Sequence, residues 1–147
     1  MVTTYKSDFL NILNERGFIH QCSDFDSLDK KLTEGKQSAY IGFDPTAASL
    51  HVGHLTGIMM LYWFQQCGHQ PITLMGGGTG KIGDSSFKDE QRKLLDDETI
   101  KENIHQFQEH CFKQFLNYEE DSDDTPKAMM VNNADWLDEL SYLGFLR

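Results

Sequence analysis

Two histidines three positions apart, His51 and His54, close the stretch Tyr40-Ile41-Gly42-Phe43-Asp44-Pro45-Thr46-Ala47-Ala48-Ser49-Leu50-His51-Val52-Gly53-His54. Side chains at i and i+3 share one face of a helix. The apolar run Ile58, Met59, Leu61, Tyr62 and Phe64 behind them is helical in character, and the residues that open that helix are, Val52 aside, poor helix formers for which a start is the natural place. A helix start offers unpaired backbone N–H groups and a positive dipole end, which together receive phosphate. Gly53, between the histidines, leaves no side chain to stop a flat base or a ribose from lying against the backbone. The chemistry expected here is the binding of a nucleoside triphosphate.

Other readings of the same residues can be tested by counting. Either histidine alone is an ordinary cap or surface residue, and as a metal pair they lack a third ligand. His69 comes after the helix and no glutamate sits at zincin spacing. The loop Gly76-Gly77-Gly78-Thr79-Gly80-Lys81-Ile82-Gly83-Asp84 fails as a P-loop, because Met75 stands where the first glycine belongs and Ile82 follows Lys81 in place of Ser or Thr. Gly78 to Gly83 does match Gly-x-Gly-x-x-Gly after a strand. The acidic residues about twenty positions on lie in a charged helical stretch, however, and Asp84 would repel pyrophosphate and suits an ammonium. Lys88 and Arg92, one helical turn apart, sit in a mixed charge run that also reads as a solvated helix face. Tyr40 also reads as strand packing, and Asp44 and Thr46 around Pro45 as a turn and a helix cap.

The elements that must position these residues alternate. Helices near Tyr5 to Arg16 and Leu28 to Thr33 precede strand Ala39 to Phe43, helix His51 to Cys67 and strand Ile72 to Met75; helical segments around Gln91 to Leu95 and Thr99 to Leu116 and a third strand, Ala128 to Val131, follow. This is an α/β pattern, and parallel strands joined by right-handed crossovers would put a ligand at their carboxyl ends, where Asp44, Gly76 to Asp84 and Asn132 all fall. The run Glu119-Glu120-Asp121-Ser122-Asp123-Asp124 is expected to be an exposed, mobile loop.

With 147 residues, 39% of them hydrophobic, the chain can fill one ordinary core. Its 13 basic and 23 acidic side chains give a net charge of −10, a poor balance for holding RNA unaided. Three widely spaced cysteines, Cys22, Cys67 and Cys111, suggest reduced thiols in a cytoplasmic setting, and no run of eighteen apolar residues suggests a membrane partner.

Gly42-Phe43-Asp44-Pro45-Thr46 followed by Ser49-Leu50-His51-Val52-Gly53-His54 resembles the first signature of tyrosyl-tRNA synthetases. Arg16 to Gln21, the loop Gly76 to Asp84, the pair Lys88 and Arg92, and Asn132-Asn133-Ala134-Asp135-Trp136 resemble that family in order and spacing, so the resemblance covers nearly the whole chain. Tryptophanyl enzymes carry a similar His-x-Gly-His helix, and the placement of Tyr40, Asp44 and the glycine loop favours the tyrosyl branch. The resemblance implies a Rossmann-like class I catalytic domain with L-tyrosine, ATP with its Mg counter-ion, and tRNA as ligands, no protein-bound metal, and a homodimer. It implies that Tyr40 meets the phenol of tyrosine and Asp84 its ammonium. Asp44 would stand beside the amino acid and α-phosphate, Thr46 and His51 at the γ-phosphate, and His54 at the ribose, with Gly42 and Gly53 giving the nucleotide room. Lys88 and Arg92 would embrace the departing pyrophosphate. Departures are small: Ser85 stands where proline is common, and Gly57 where some members carry a hydroxyl.

On this reading residues 1–38 form a helical lead-in and 39–147 the first half of the catalytic domain. The segment from Asp135 to Arg147 opens a further helix without a stop signal, so the chain reads as truncated. The second half of the sheet, a mobile lysine loop and the tRNA-binding domains are expected to be missing, with an apolar surface left exposed. A non-catalytic nucleotide-binding or interaction module is the alternative.

Overall fold

The computed structural model describes residues 4–45, 50–81, 96–121 and 125–141. Helices α1 (Asp8–Glu15) and α2 (Phe25–Glu34) lead into β1 (Ser38–Phe43), α3 (Val52–Gln66) and β2 (Gln70–Met75). A 3₁₀ turn (Thr79–Lys81), α4 (Asp97–His110), a second 3₁₀ turn (Phe112–Gln114), β3 (Met129–Asn132) and the single-turn α5 (Ala134–Leu137) follow. The strands pair in parallel in the order β1-β2-β3, with Phe43 beside Met75 and Met75 beside Asn132, so all three end at one rim.

Because successive steps from β1 to β3 run in one direction, right-handed crossovers place both connecting helices on the same face of the sheet. The packing agrees: Phe43 and Met75 are buried with Ile58 and Leu61 of α3 and with Ile100, Ile104 and Phe107 of α4. Phe112 completes this cluster, its ring 4.9 Å from that of Phe43. α3 is apolar on its outer side too, and there Phe64 meets Phe9 of α1 edge-on at 5.0 Å, within a second cluster that includes Leu10, Leu13 and Leu32. The guanidinium of Arg16 lies 4.4 Å from the Trp63 ring centre, a cation–π contact that pins the end of α1 to α3.

The other sheet face carries Tyr40 and Gly42 of β1, Ile72 and Leu74 of β2, and Met129 and Val131 of β3, aligned by the register. Tyr40 is 68% exposed and Met129 42%, and none of Ile72, Leu74 or Val131 joins either buried cluster. An exposed apolar surface was expected at a strand edge and on helix faces; among the described residues this sheet face is also uncovered.

Polar side chains fix the connections. Asp29 of α2 accepts the N–H groups of Lys6 and Ser7 at 2.9 and 2.8 Å, tying the residues that lead into α1 to a neighbouring helix. Gln65 of α3 is buried; its amide nitrogen donates to the carbonyls of Asn117 and Pro126, both at 2.9 Å, and its oxygen accepts from the Asn117 N–H at 3.0 Å. Tyr118 shares a 2.9 Å hydrogen bond with buried Thr73, and burial pushes its phenol up to about 12.

Four sequence expectations shift. α2 starts at Phe25, earlier than expected, because Asp24 caps it by accepting from the Ser27 N–H at 2.9 Å. The helix expected over Thr99 to Leu116 stops at His110, and the tighter turn that follows carries Phe112 into the core. The further helix expected from Asp135 is a single turn, Ala134–Leu137, among the described residues. In the acidic run, Glu119, Glu120 and Asp121 are exposed as expected, yet they are tied down. The Asn117 side chain accepts the N–H groups of both glutamates, and Asp121 accepts the Lys127 N–H at 3.1 Å and pairs with Lys36 at 3.7 Å. The expected helix at Gln91 to Leu95 and residues 122–124 and 142–147 lie outside the described residues.

Candidate functional site

The carboxyl rim of the sheet gathers Asp44 after β1, the glycine loop after β2, and Asn132 and Asn133 at the end of β3. α3 begins beside it. His51 is the N-cap of α3: its Nδ1 accepts the Gly53 N–H at 3.1 Å, while Nδ1 of His54 accepts the His51 N–H at 3.3 Å. This is a reciprocal capping box built from two imidazoles, whose ring centres are 3.8 Å apart. An imidazole whose Nδ1 accepts carries its proton on Nε2, so each ring keeps an Nε2–H donor for a ligand. Burial holds the His54 pKa below its ordinary value and the His51 charge adds to this, against the opposing hydrogen bond with the His51 backbone and the Asp44 charge. His54 is therefore a neutral donor at pH 7.

Two sequence readings of this helix start change. The N–H groups of His51 and Gly53 are taken by the histidines, which leaves the helix start fewer open donors. Gly53 is required for a different reason as well, since a Cβ there would lie 2.8 Å from Cε1 of His51. The space over its backbone is filled by the His51 ring.

The three glycines after β2 are forced by their neighbours. A Cβ on Gly76 would fall on the Asp44 carboxylate, one on Gly77 would meet the Asn132 side chain, and one on Gly78 would come 3.2 Å from the Ala134 backbone. Gly76 donates to the Phe43 carbonyl at 2.9 Å. The Asn132 oxygen accepts from Gly77 and from Ala134, each at 3.1 Å, and the Asn133 oxygen accepts from Gly78 at 2.7 Å. Asn103 of α4, buried, donates to the Pro45 carbonyl at 2.9 Å and steadies the turn that leaves β1. Lys81 is engaged by two carboxylates, its ammonium 2.7 Å from Asp138 and 3.3 Å from Asp97. The hydrogen bond to Asp138 raises its pKa, burial opposing and Asp97 assisting.

Tyr40 and Gly42 lie on the uncovered sheet face, separate from the helix-covered side that packs against α3. A Cβ at Gly42 would meet nothing within 4 Å, so the face beside Tyr40 has open space. The structure thus brings Asp44, His51, Gly53 and His54 to one rim with the glycine loop and sets Tyr40 and Gly42 on the adjoining bare face. Thr46, Asp84, Lys88 and Arg92 lie outside the described residues. Asn103, Asn132 and Asn133 gained no role from the residues alone, although the last two lie in the Asn132 to Trp136 stretch of the family resemblance. A cavity of about 470 Å³, lined in part by Lys36, Cys67 and His69, lies at the opposite end of the strands.

Comparison with known proteins supplies an independent line. Residues 32–147 match the model for tRNA synthetases class I (W and Y). Over 146 residues, 99% of its length, the chain is 58% identical to the tyrosine–tRNA ligase of Zymomonas mobilis, of which it covers 35%, and 57% identical to that of Agrobacterium fabrum, of which it covers 34%. It spans about a third of the length of these relatives. Among solved structures, a C-terminally truncated mitochondrial tyrosyl-tRNA synthetase of Coccidioides posadasii superposes with a TM-score of 0.72 at 33% identity, covering 94% of this chain and 38% of that one. The corresponding Aspergillus nidulans structure gives 0.72 at 28% identity, over 97% and 41%.

Proposed function

Because the chain belongs to the class I tRNA synthetases of the W and Y group, we propose that it forms the ATP- and tyrosine-binding part of a tyrosine–tRNA ligase. The observation that carries this reading is the double-imidazole cap of α3 beside Asp44, within a chain that matches tyrosine–tRNA ligases over 99% of its length.

In the proposed reaction a carboxylate oxygen of tyrosine attacks the α-phosphorus of ATP, the bond to the β-phosphate bridge breaks, and pyrophosphate leaves with its Mg counter-ion. A hydroxyl of the tRNA's terminal ribose would then attack the carbonyl carbon of the tyrosyl-adenylate, giving up its proton as the anhydride bond breaks and AMP leaves. The Nε2–H donors of His51 and His54 would face the γ-phosphate and the ribose, with Thr46 beside His51. Asp44 would stand at the amino acid and α-phosphate, and the open face beside Gly42 would take the tyrosine ring, with Tyr40 at its phenol. Asp84 would hold the ammonium, and Lys88 and Arg92 the departing pyrophosphate. Donors that strengthen as charge moves onto the leaving group supply rate, not just affinity. The helices before residue 39 would buttress the domain that begins at β1. A cytoplasmic enzyme with three reduced cysteines fits the free state of Cys22, Cys67 and Cys111. Pairing of two subunits and tRNA binding are assigned to the two thirds of the relatives that this chain does not match.

The test is tyrosine-dependent exchange of labelled pyrophosphate into ATP. Exchange is expected to be absent for the chain alone and present when it replaces the first third of the Zymomonas mobilis ligase. Replacing His51 and His54 by Asn in that chimera should lower exchange by roughly a hundredfold or more. A chimera that melts cooperatively yet exchanges nothing would sink the proposal.

A further inference from the structure

The glycine loop has almost no side chains of its own with which to hold its shape. Glycine backbone is the most costly to order, so its placement must come from outside. One set of contacts is the pair of amides from Asn132 and Asn133, which reach only as far as Gly78 and the Thr79 hydroxyl, the latter at 3.0 Å. Beyond that point the loop closes on itself, Gly80 donating to the Gly76 carbonyl at 2.7 Å and Lys81 to that of Gly78 at 3.3 Å. Its far end is then fastened by a side chain that the sequence analysis rejected as a phosphate ligand. Lys81 sits between Asp138, at the end of α5, and Asp97, in the first turn of α4. The loop is thus held to the segment 132–138 at two points, by amides at one end and by charge at the other.

We infer that Lys81 is a positioning residue: by bridging Asp97 and Asp138 it fixes the glycine loop at Lys81, and so makes the placement of Gly76 to Lys81 sensitive to ionic strength. Its bearing on ligand binding rests on the tyrosine and ATP reading above. A tie between partly exposed charges weakens as salt screens it, while the amide bonds from Asn132 and Asn133 do not. Salt should therefore loosen the loop from its Lys81 end only.

Amide hydrogen exchange on the intact chain decides this. In Lys81→Met the Gly80 and Lys81 amides are expected to exchange about fivefold faster, with Ile104 and Phe107 in the core unchanged. Lys81→Arg should restore slow exchange, and about 1 M salt should move the unaltered chain toward the Met variant and leave that variant where it is. Unchanged exchange at Gly80, or the same acceleration throughout the core, would overturn the inference. A tyrosine titration followed at the same amides separates the two claims. Weaker binding by Lys81→Met supports the positioning role, and equal binding overturns its relevance to the ligand. Absence of binding by the unaltered chain counts against the proposed function, leaving the tie to stand or fall by exchange.

Discussion

The two faces of the sheet are made of similar residues and meet different fates. On one, Phe43 and Met75 are buried under α3 and α4, with Met130 partly buried against them; on the other, Tyr40, Ile72, Leu74, Met129 and Val131 form a continuous apolar strip outside both buried clusters. Parallel strands are ordinarily covered on both sides, and the run Pro71-Ile72-Thr73-Leu74-Met75 is written for that. Strand order explains the asymmetry: a sheet that grows in one direction by right-handed crossovers collects its helices on one side. Packing and open space therefore separate, with the folded core on one face and the room beside Tyr40 and Gly42 on the other.

Matched truncations should expose this separation. Phe112→Ala removes a fully buried ring from the covered face and is expected to cost about 3–5 kcal/mol in a denaturant titration. Leu74→Ala on the bare face should cost a small fraction of that, and equal losses would abolish the distinction. Next in size, Gln65→Leu on the covered side takes the partner from the Asn117 N–H and the Pro126 carbonyl, while the Asn117 carbonyl keeps the Ala128 N–H, and should cost about 1–3 kcal/mol. His69 tests the same side by pH. It is buried, its Nδ1 accepts the Gln37 N–H at 3.3 Å where β1 begins, and burial lowers its pKa from the ordinary 6.5. Its contribution is full above that value, where neither state holds the extra proton. It is lost as the pH falls through the depressed folded value, because the unfolded chain protonates first. His69→Gln should flatten this part of the stability–pH curve; an unaltered slope would remove His69 from the account. The smallest expected change is Tyr40→Phe, within about 0.5 kcal/mol in stability. The proposed contact with the substrate phenol predicts weaker tyrosine binding all the same, by about 0.5–1.5 kcal/mol, readable by calorimetry in the active chimera.

Local patterns carried much of the architecture. Alternation in β1, the apolar stretch of α3 and the short run of β2 locate three elements to within a residue or two, and the i, i+3 spacing of His51 and His54 places both rings together. What escaped is long-range. Gln65 with Asn117 and Pro126, Asn103 with Pro45, and Asn132 with Gly77 join residues 52 to 61 positions apart. Nothing local distinguishes such an amide from a surface one. The closeness of the His51 ring to Gly53 was not legible, because it depends on the rotamer of His51. The end of α4 was misread because burial of Phe112 outweighs helix propensity across Cys111.

Sheet register has a consequence in time. Ser38 and Gln70 are 32 residues apart in sequence, whereas the β2–β3 contacts of Gln70 and Thr73 span 57 and 56. Closing the longer loop is entropically dearer and slower, so β1, α3 and β2 should assemble as a unit before β3 docks. Asn132, Asn133 and Asp138 arrive with or after that last strand. Pulse labelling should find the Gly77 and Gly78 amides protected later than those of Ile72 to Leu74 on the β1 side. Among the described residues, the rim that gathers the candidate ligand groups is thus the last part expected to take shape, and during synthesis it waits for the strand that anchors it.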